Sequence, residues 1–249
     1  MRAEAVDATP AVAVRAIAGD ERPAQLAQRL QLSLTSLPQA ARLLFSFGPQ
    51  GLELQAPGRR LKPLRVDFTG SGVERVGSQL LLRAARVKTR PARLLDLTAG
   101  LGADAWRLAQ AGFIVTAIER QPLVHALLED ALTRAPRLAS TGSLQAVCAD
   151  ARSVLGDLEQ SAWPEVVYLD PMFPEQGRTA LPRRELQLLR ELTGDDDNGV
   201  ELATLARMRA TRRVVVKRPL HAPPLLPSVD VCLKGRAVRF DVYLVAAGP

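Results

Sequence analysis

Asp96, Glu119, Asp150 and Asp170 each close a short apolar run that reads as a strand. Open α/β sheets bind their ligands beyond the carboxyl ends of such strands. Asp96 opens the turn Asp96-Leu-Thr-Ala-Gly-Leu-Gly102, after which Ala103 and Asp104 begin a helix. Gly100 and Gly102 let the backbone approach a ligand closely, and the first N–H groups of the helix face it. No third glycine follows Gly102, so the pattern departs from the dinucleotide fingerprint. An acid at this point suits a ligand bearing a cationic amino-acid group better than one bearing phosphates; S-adenosylmethionine is such a ligand. Asp96 and the Gly100–Gly102 turn would surround its methionine part. Glu119, between Ile118 and Arg120, is placed to accept both ribose hydroxyls, and Asp150 to accept from the adenine amine beside the Ala151 N–H. Helix capping is the competing reading for each acid, and a dehydrogenase also uses an acid after its second strand.

The segment Val166-Val-Tyr-Leu-Asp-Pro-Met-Phe-Pro174 is more specific. It resembles the Asp/Asn-Pro-Pro-Tyr/Phe tetrad of enzymes that methylate exocyclic amines of bases. Such an amine is a poor nucleophile, because its lone pair is delocalised into the ring. A carboxylate at Asp170 and a neighbouring backbone carbonyl, both accepting from the NH₂, would align it with a methyl donor. Pro171 removes a competing N–H and fixes the turn, while Phe173 would stack on the extruded base. Tyr168, within the strand, reads as core. Arg178, Arg183 and Arg184 follow this loop, and Lys217, Arg218, Lys234, Arg236 and Arg239 lie at neighbouring strand ends or in the last hairpin. Phosphate contact is expected of Arg178, Arg183, Arg184, Lys217 and Arg218.

Positioning these residues requires a parallel sheet. From residue 93 onward strands and helices alternate: strands at 94–97, 113–119, 144–150, 166–170 and 213–217, then a hairpin of 229–233 with 238–245. That order predicts a mostly parallel sheet covered on both faces. Helices are expected at 122–134, 152–160, 185–192 and 200–210. Residues 1–88 read as a small α+β lobe and 89–249 as the main domain. In the lobe, 11–17 is a candidate strand, 22–32 a helix opened by Pro23, and Gly48-Pro-Gln-Gly51 the turn of a hairpin. A further strand is expected at 64–68 and a helix at 76–87.

Composition narrows the function classes. The 249 residues are 47% hydrophobic, and no apolar run is long enough to span a bilayer. The first seven residues lack the basic-then-apolar layout of a signal peptide, so a cytoplasmic protein is expected. Cys148 and Cys232 lie far apart in strands and read as core thiols; His125 and His221 are isolated, so no metal site is expected. A net charge of +7, almost all of it arginine, points to a polyanionic partner, although a compositional bias gives the same excess.

Together, Asp96–Gly102 with Asp104, Glu119-Arg120, 166–174, Val214-Val-Val-Lys-Arg-Pro219 with Ala222-Pro-Pro-Leu225, and Lys234-Gly with Arg239-Phe-Asp241 look like the ribosomal RNA small subunit methyltransferase J family. The resemblance implies a Rossmann-like class I S-adenosylmethionine-dependent methyltransferase fold, with a mostly parallel seven-stranded sheet. It implies methyl transfer to the N2 amine of a guanine in 16S ribosomal RNA, as RNA or within the small ribosomal subunit. It carries cofactor contacts to Ala103 and Asp104, Glu119 and Arg120, Asp150 and Ala151, and Asp170. Two departures stand out: residues 70–79 are short and carry only Arg75 where the family is glycine-rich and basic, and Ala149-Asp-Ala151 replaces a pair of serines. Competing functions are an adenine-N6 methyltransferase of DNA or RNA, an NAD-binding dehydrogenase, and a non-catalytic RNA-binding factor of ribosome assembly. No membrane association or obligate protein partner is expected.

Overall fold

The structure, a computed structural model, describes residues 11–69, 78–88, 91–138, 141–171 and 198–246. Phe173, Arg178, Arg183, Arg184 and the helix expected at 185–192 lie outside them. Contacts divide the chain into two compact units, with a boundary between Asp67 and Phe68.

In the smaller unit, β1 (Val12–Arg15), β2 (Ser33–Thr35), β3 (Leu43–Gly48) and β4 (Gly51–Gln55) form a sheet of order β2-β1-β3-β4. Helix α1 (Arg22–Leu30) opens on Pro23, whose missing N–H costs nothing in a first turn, and buries Pro23, Leu26 and Ala27. Gly51, at φ 107°, closes the two-residue loop of the β3–β4 hairpin. In place of the strand expected at 64–68 the structure has an isolated bridge, Leu64 to Leu54, with Leu64, Val66 and Phe68 buried.

The larger unit begins with α2 (Ser78–Ala85), which buries Leu81, Ala84 and Ala85 and packs on strands of this unit. Arg213 Nη1 donates to the Ala84 carbonyl at 3.0 Å. This packing puts the division some twenty residues earlier than the 88/89 boundary expected from the sequence. There follow β5 (Ala92–Asp96), α3 (Ala103–Gln110), β6 (Phe113–Glu119), α4 (Pro122–Arg134), β7 (Ser143–Cys148), α5 (Ala151–Asp157), β8 (Val166–Leu169), α6 (Gly199–Arg209), β9 (Arg213–Pro219), β10 (Val231–Lys234) and β11 (Val238–Leu244). The seven strands stand in the order β10-β11-β9-β8-β5-β6-β7. Strands β5 to β9 are parallel, and β11 runs antiparallel to both β9 and β10. Order reverses between β5 and its neighbours β6 and β8, the switch point at which such sheets hold ligands.

Alternation then decides which residues share a face. Leu95, Ile118, Val167, Leu169, Val214 and Val216 lie in one cluster with Ala151 and Leu155 of α5 and Leu202, Ala203 and Ala206 of α6. The alternate positions point the other way. Asp96 pairs with Ala117 on one side and Tyr168 on the other, and Tyr168 pairs with Val215. Two positions onward along β6, β8 and β9 are Glu119, Asp170 and Lys217, so these three and Asp96 project on one side of the sheet edge.

Both cysteines are exposed, contrary to the expectation that they lie in the core. The reason is topological: Cys148 is on β7 and Cys232 on β10, the two outermost strands.

Candidate active site

The turn after β5 is stitched into the sheet on both flanks. Leu97 N–H donates to the Tyr168 carbonyl at 3.0 Å and Ala99 N–H to the Ile118 carbonyl at 2.9 Å. Gly100 and Gly102 adopt φ of 53° and 75°. Their surroundings differ. A Cβ on Gly102 would come within 2.4 Å of Leu128 Cδ1, whereas one on Gly100 would meet nothing within 4 Å. Gly102 is therefore needed for packing, and Gly100 presents bare backbone to open space. Ala103 is the first residue of α3, with Asp104 in its opening turn.

Asp96 is almost wholly buried, and its Oδ1 accepts the Thr98 N–H at 3.1 Å. Burial pushes its carboxyl up to about 8, against the pull of that N–H; the nearby Asp104 and Asp170 push the same way. Glu119 uses both oxygens on backbone: Oε2 accepts from Gly100 N–H at 2.9 Å and Oε1 from Gln121 N–H at 2.8 Å. Burial raises its carboxyl too, opposed by those two N–H groups and by Arg120 and His125. Arg120 itself is exposed.

Asp170 follows β8. Its N–H donates to Thr98 Oγ1 at 2.6 Å, which ties it to the glycine turn. Its Oδ2 accepts from Lys217 Nζ at 2.7 Å, and its side chain stays 40% exposed. Burial of the rest raises the carboxyl, with Lys217 opposing and Asp104 adding to the rise. Pro171 is buried beside Gly199 at the start of α6.

Lys217 corrects an expectation. It does not extend toward a phosphate; its ammonium lies between Asp170 and Asp104, 2.8 Å from Asp104 Oδ2. Asp104 Oδ2 also accepts from the Tyr168 hydroxyl at 2.7 Å, and Oδ1 from Arg107 Nη1 at 3.1 Å. Burial favours a neutral Asp104, but Lys217, Tyr168 and Arg107 together hold its carboxyl below the usual range. Tyr168 is core, as read from the sequence, yet its hydroxyl is part of this network. Arg218 also turns inward: it is 5% exposed and donates from Nε to the Pro223 carbonyl at 3.0 Å, which takes it out of an RNA-facing role.

Asp150, just beyond the residue of β7 that pairs with Glu119, is the N-cap of α5. Its Oδ1 accepts from Arg152 N–H at 2.8 Å, and Oδ2 from Arg152 Nη2 at 2.7 Å. The Arg152 guanidinium holds it down to about 2. Both oxygens accept from Arg152, as the capping reading requires; Ala151, next to it, is buried as the first helical residue.

The arrangement fits S-adenosylmethionine. Asp96 and Glu119 accept from backbone N–H groups and form no ion pair among the described residues, so a ligand with ammonium, sulfonium and ribose hydroxyls complements them. The open side of Gly100 adjoins Glu119 through their hydrogen bond.

A family described as "Putative SAM-dependent methyltransferase" matches this chain over residues 25–245. A protein of Coxiella burnetii named ribosomal RNA small subunit methyltransferase J is 41% identical over 89% of this chain and 91% of its own length. One of the same name from Pseudomonas aeruginosa is 40% identical over 95% of each. The crystal structure of a SAM-dependent methyltransferase from Neisseria gonorrhoeae is similar at a TM-score of 0.74 and 28% identity, covering 96% of this chain and 97% of that one.

Proposed function

The chain belongs to the ribosomal RNA small subunit methyltransferase J family and is an S-adenosylmethionine-dependent methyltransferase, and we propose that it methylates the N2 amine of a guanine in 16S ribosomal RNA with Asp170 orienting the amine. The observation that carries this reading is the state of Asp170. One oxygen is held by Lys217 and the backbone by Thr98, which leaves Oδ1 with no partner among the described residues at a part-exposed sheet edge. Bound S-adenosylmethionine would supply an electrophilic methyl group, whose bond to sulfur breaks as the sulfonium leaves as the neutral thioether. Asp96 and the Gly100–Gly102 turn would hold its amino-acid end, and Glu119 has a second lone pair on each oxygen for the ribose hydroxyls. Asp170 Oδ1 accepts one N–H of the target amine, which turns the nitrogen lone pair toward the methyl. Once the N–C bond forms, the nitrogen gives up that proton to Asp170 or to water through it. Pro171 keeps the turn rigid, and Phe173 is proposed to stack on the base.

Phosphate contact is proposed for Arg178, Arg183 and Arg184, and action on ribosomal RNA puts the enzyme in the cytoplasm. Among the described residues no helix is long and apolar enough to cross a membrane.

The test is single-turnover methylation of 16S RNA taken from cells lacking the enzyme, followed by identification of the modified nucleoside. N2-methylguanosine is expected, and N6-methyladenosine would overturn the guanine assignment. Asp170→Asn should lower the rate by roughly 10²–10³-fold and leave S-adenosylhomocysteine affinity within a few-fold of wild type.

A further inference from the structure

We propose that Lys217 is a positioning residue for methyl transfer: it pins one oxygen of Asp170 so that the other meets the target amine as a charged acceptor. The inference rests on the role given to Asp170 above. Three facts carry it. First, Lys217 Nζ lies 2.7 Å from Asp170 Oδ2 and 2.8 Å from Asp104 Oδ2, so the ammonium is held between two fixed points on different elements. Second, the far anchor is itself braced: Asp104 takes the Tyr168 hydroxyl and the Arg107 guanidinium, which links α3, β8 and β9 in one network. Third, the register of β8 against β9 makes Asp170 and Lys217 successive members of the same side of the sheet edge, beside Asp96.

The charges explain why a cation is needed here. Facing Lys217 and Asp170 are Asp96 from β5, Asp104 and Arg107 from α3, and Tyr168 from β8. Arg107 donates to the Asp104 oxygen remote from Lys217, and among the described residues Lys217 is the cation that bridges Asp104 and Asp170. A carboxyl that takes up a proton presents a donor to an NH₂ group, the wrong polarity for holding it. Burial drives Asp170 in that direction and Lys217 opposes it. A part-buried ion pair of this kind is weak evidence for stability.

Lys217→Met and Asp170→Asn, assayed beside wild type across pH in steady-state methylation of 16S RNA, test this. Lys217→Met should lower kcat by about 10²-fold while the RNA KM and S-adenosylhomocysteine affinity stay within about threefold. Its acid limb should move to higher pH, because Asp170 then ionises later without its neighbouring cation. Lys217→Arg should return the limb to the wild-type position. If the Met variant melts below the assay temperature, Lys217→Gln carries the same test, since its amide keeps a donor between the two carboxylates. Wild-type kcat and acid limb in the uncharged variant, with Asp170→Asn inactive, would overturn the Lys217 role alone. So would a raised RNA KM with a shallower salt dependence and intact kcat, the signature of a phosphate contact. An active Asp170→Asn would instead remove the Asp170 reading itself.

Discussion

At the scale of single residues, Asp96 makes stability depend on pH. Its carboxyl is buried and pushed up to about 8 from an ordinary value of 3.8. Between those values the unfolded chain releases a proton that the folded chain keeps. Native stability therefore falls as pH rises through this window, by at most ~1.4 kcal/mol per pH unit. Asp96→Asn keeps the acceptor for Thr98 N–H and removes the titration. Its melting temperature relative to wild type should rise between pH 5 and pH 8; a difference independent of pH would contradict the burial argument. The acids at the ends of β5, β6 and β8 were legible in the sequence because each closes an apolar run. Lys217 was not legible in its true role. A lysine after Val214-Val215-Val216 reads as a strand end reaching for solvent, and only the pairing of β8 with β9 reveals that it stands beside Asp170. Tyr168 was read as core, and it is; that its hydroxyl reaches Asp104 requires the placement of α3.

At the scale of elements, the glycine turn between β5 and α3 separates folding from binding. Gly102→Ala combines a positive φ with a Cβ 2.4 Å from a buried leucine methyl, so it should cost about 1–3 kcal/mol in stability. Gly100→Ala meets no neighbour and should cost about 1 kcal/mol from its backbone conformation. It should nonetheless weaken S-adenosylhomocysteine binding at least tenfold, because the methyl group would fill the open side of Gly100 that is proposed to receive the ligand. Thermal melts and calorimetric titration of both variants give opposite rankings if this division holds. The alternation of strands and helices from residue 93 onward was readable because each buried parallel strand is a continuous apolar run bounded by turn residues. The strand expected at 64–68 is an isolated bridge at Leu64 instead: alternating burial marks which side chains face inward but does not specify a ladder.

At the scale of the whole molecule, net charge overstates what is offered to RNA. Arg107, Arg152, Arg213, Arg218 and Arg239 donate to carboxylates or carbonyls of the chain itself. Arg218→Gln should consequently leave the salt dependence of RNA binding unchanged while lowering thermal stability, since the buried tether to Pro223 is lost. Removing Arg183 or Arg184, if each meets a phosphate, should reduce the slope of log affinity against log salt by about 1; filter binding at several salt concentrations distinguishes the two outcomes. Sequence legibility ends at the same level, because a count of arginines does not say which are used internally. The exposed Cys148 and Cys232 stand on opposite outer strands of the seven-stranded sheet, six inter-strand steps apart. At the usual spacing that is roughly 29 Å, within the working range of a fluorescent donor–acceptor pair. Desolvation and the neighbouring Asp241 raise the Cys232 thiol, which slows its reaction with maleimides. The native chain thus carries a built-in optical ruler across its central sheet, with no engineered thiol required.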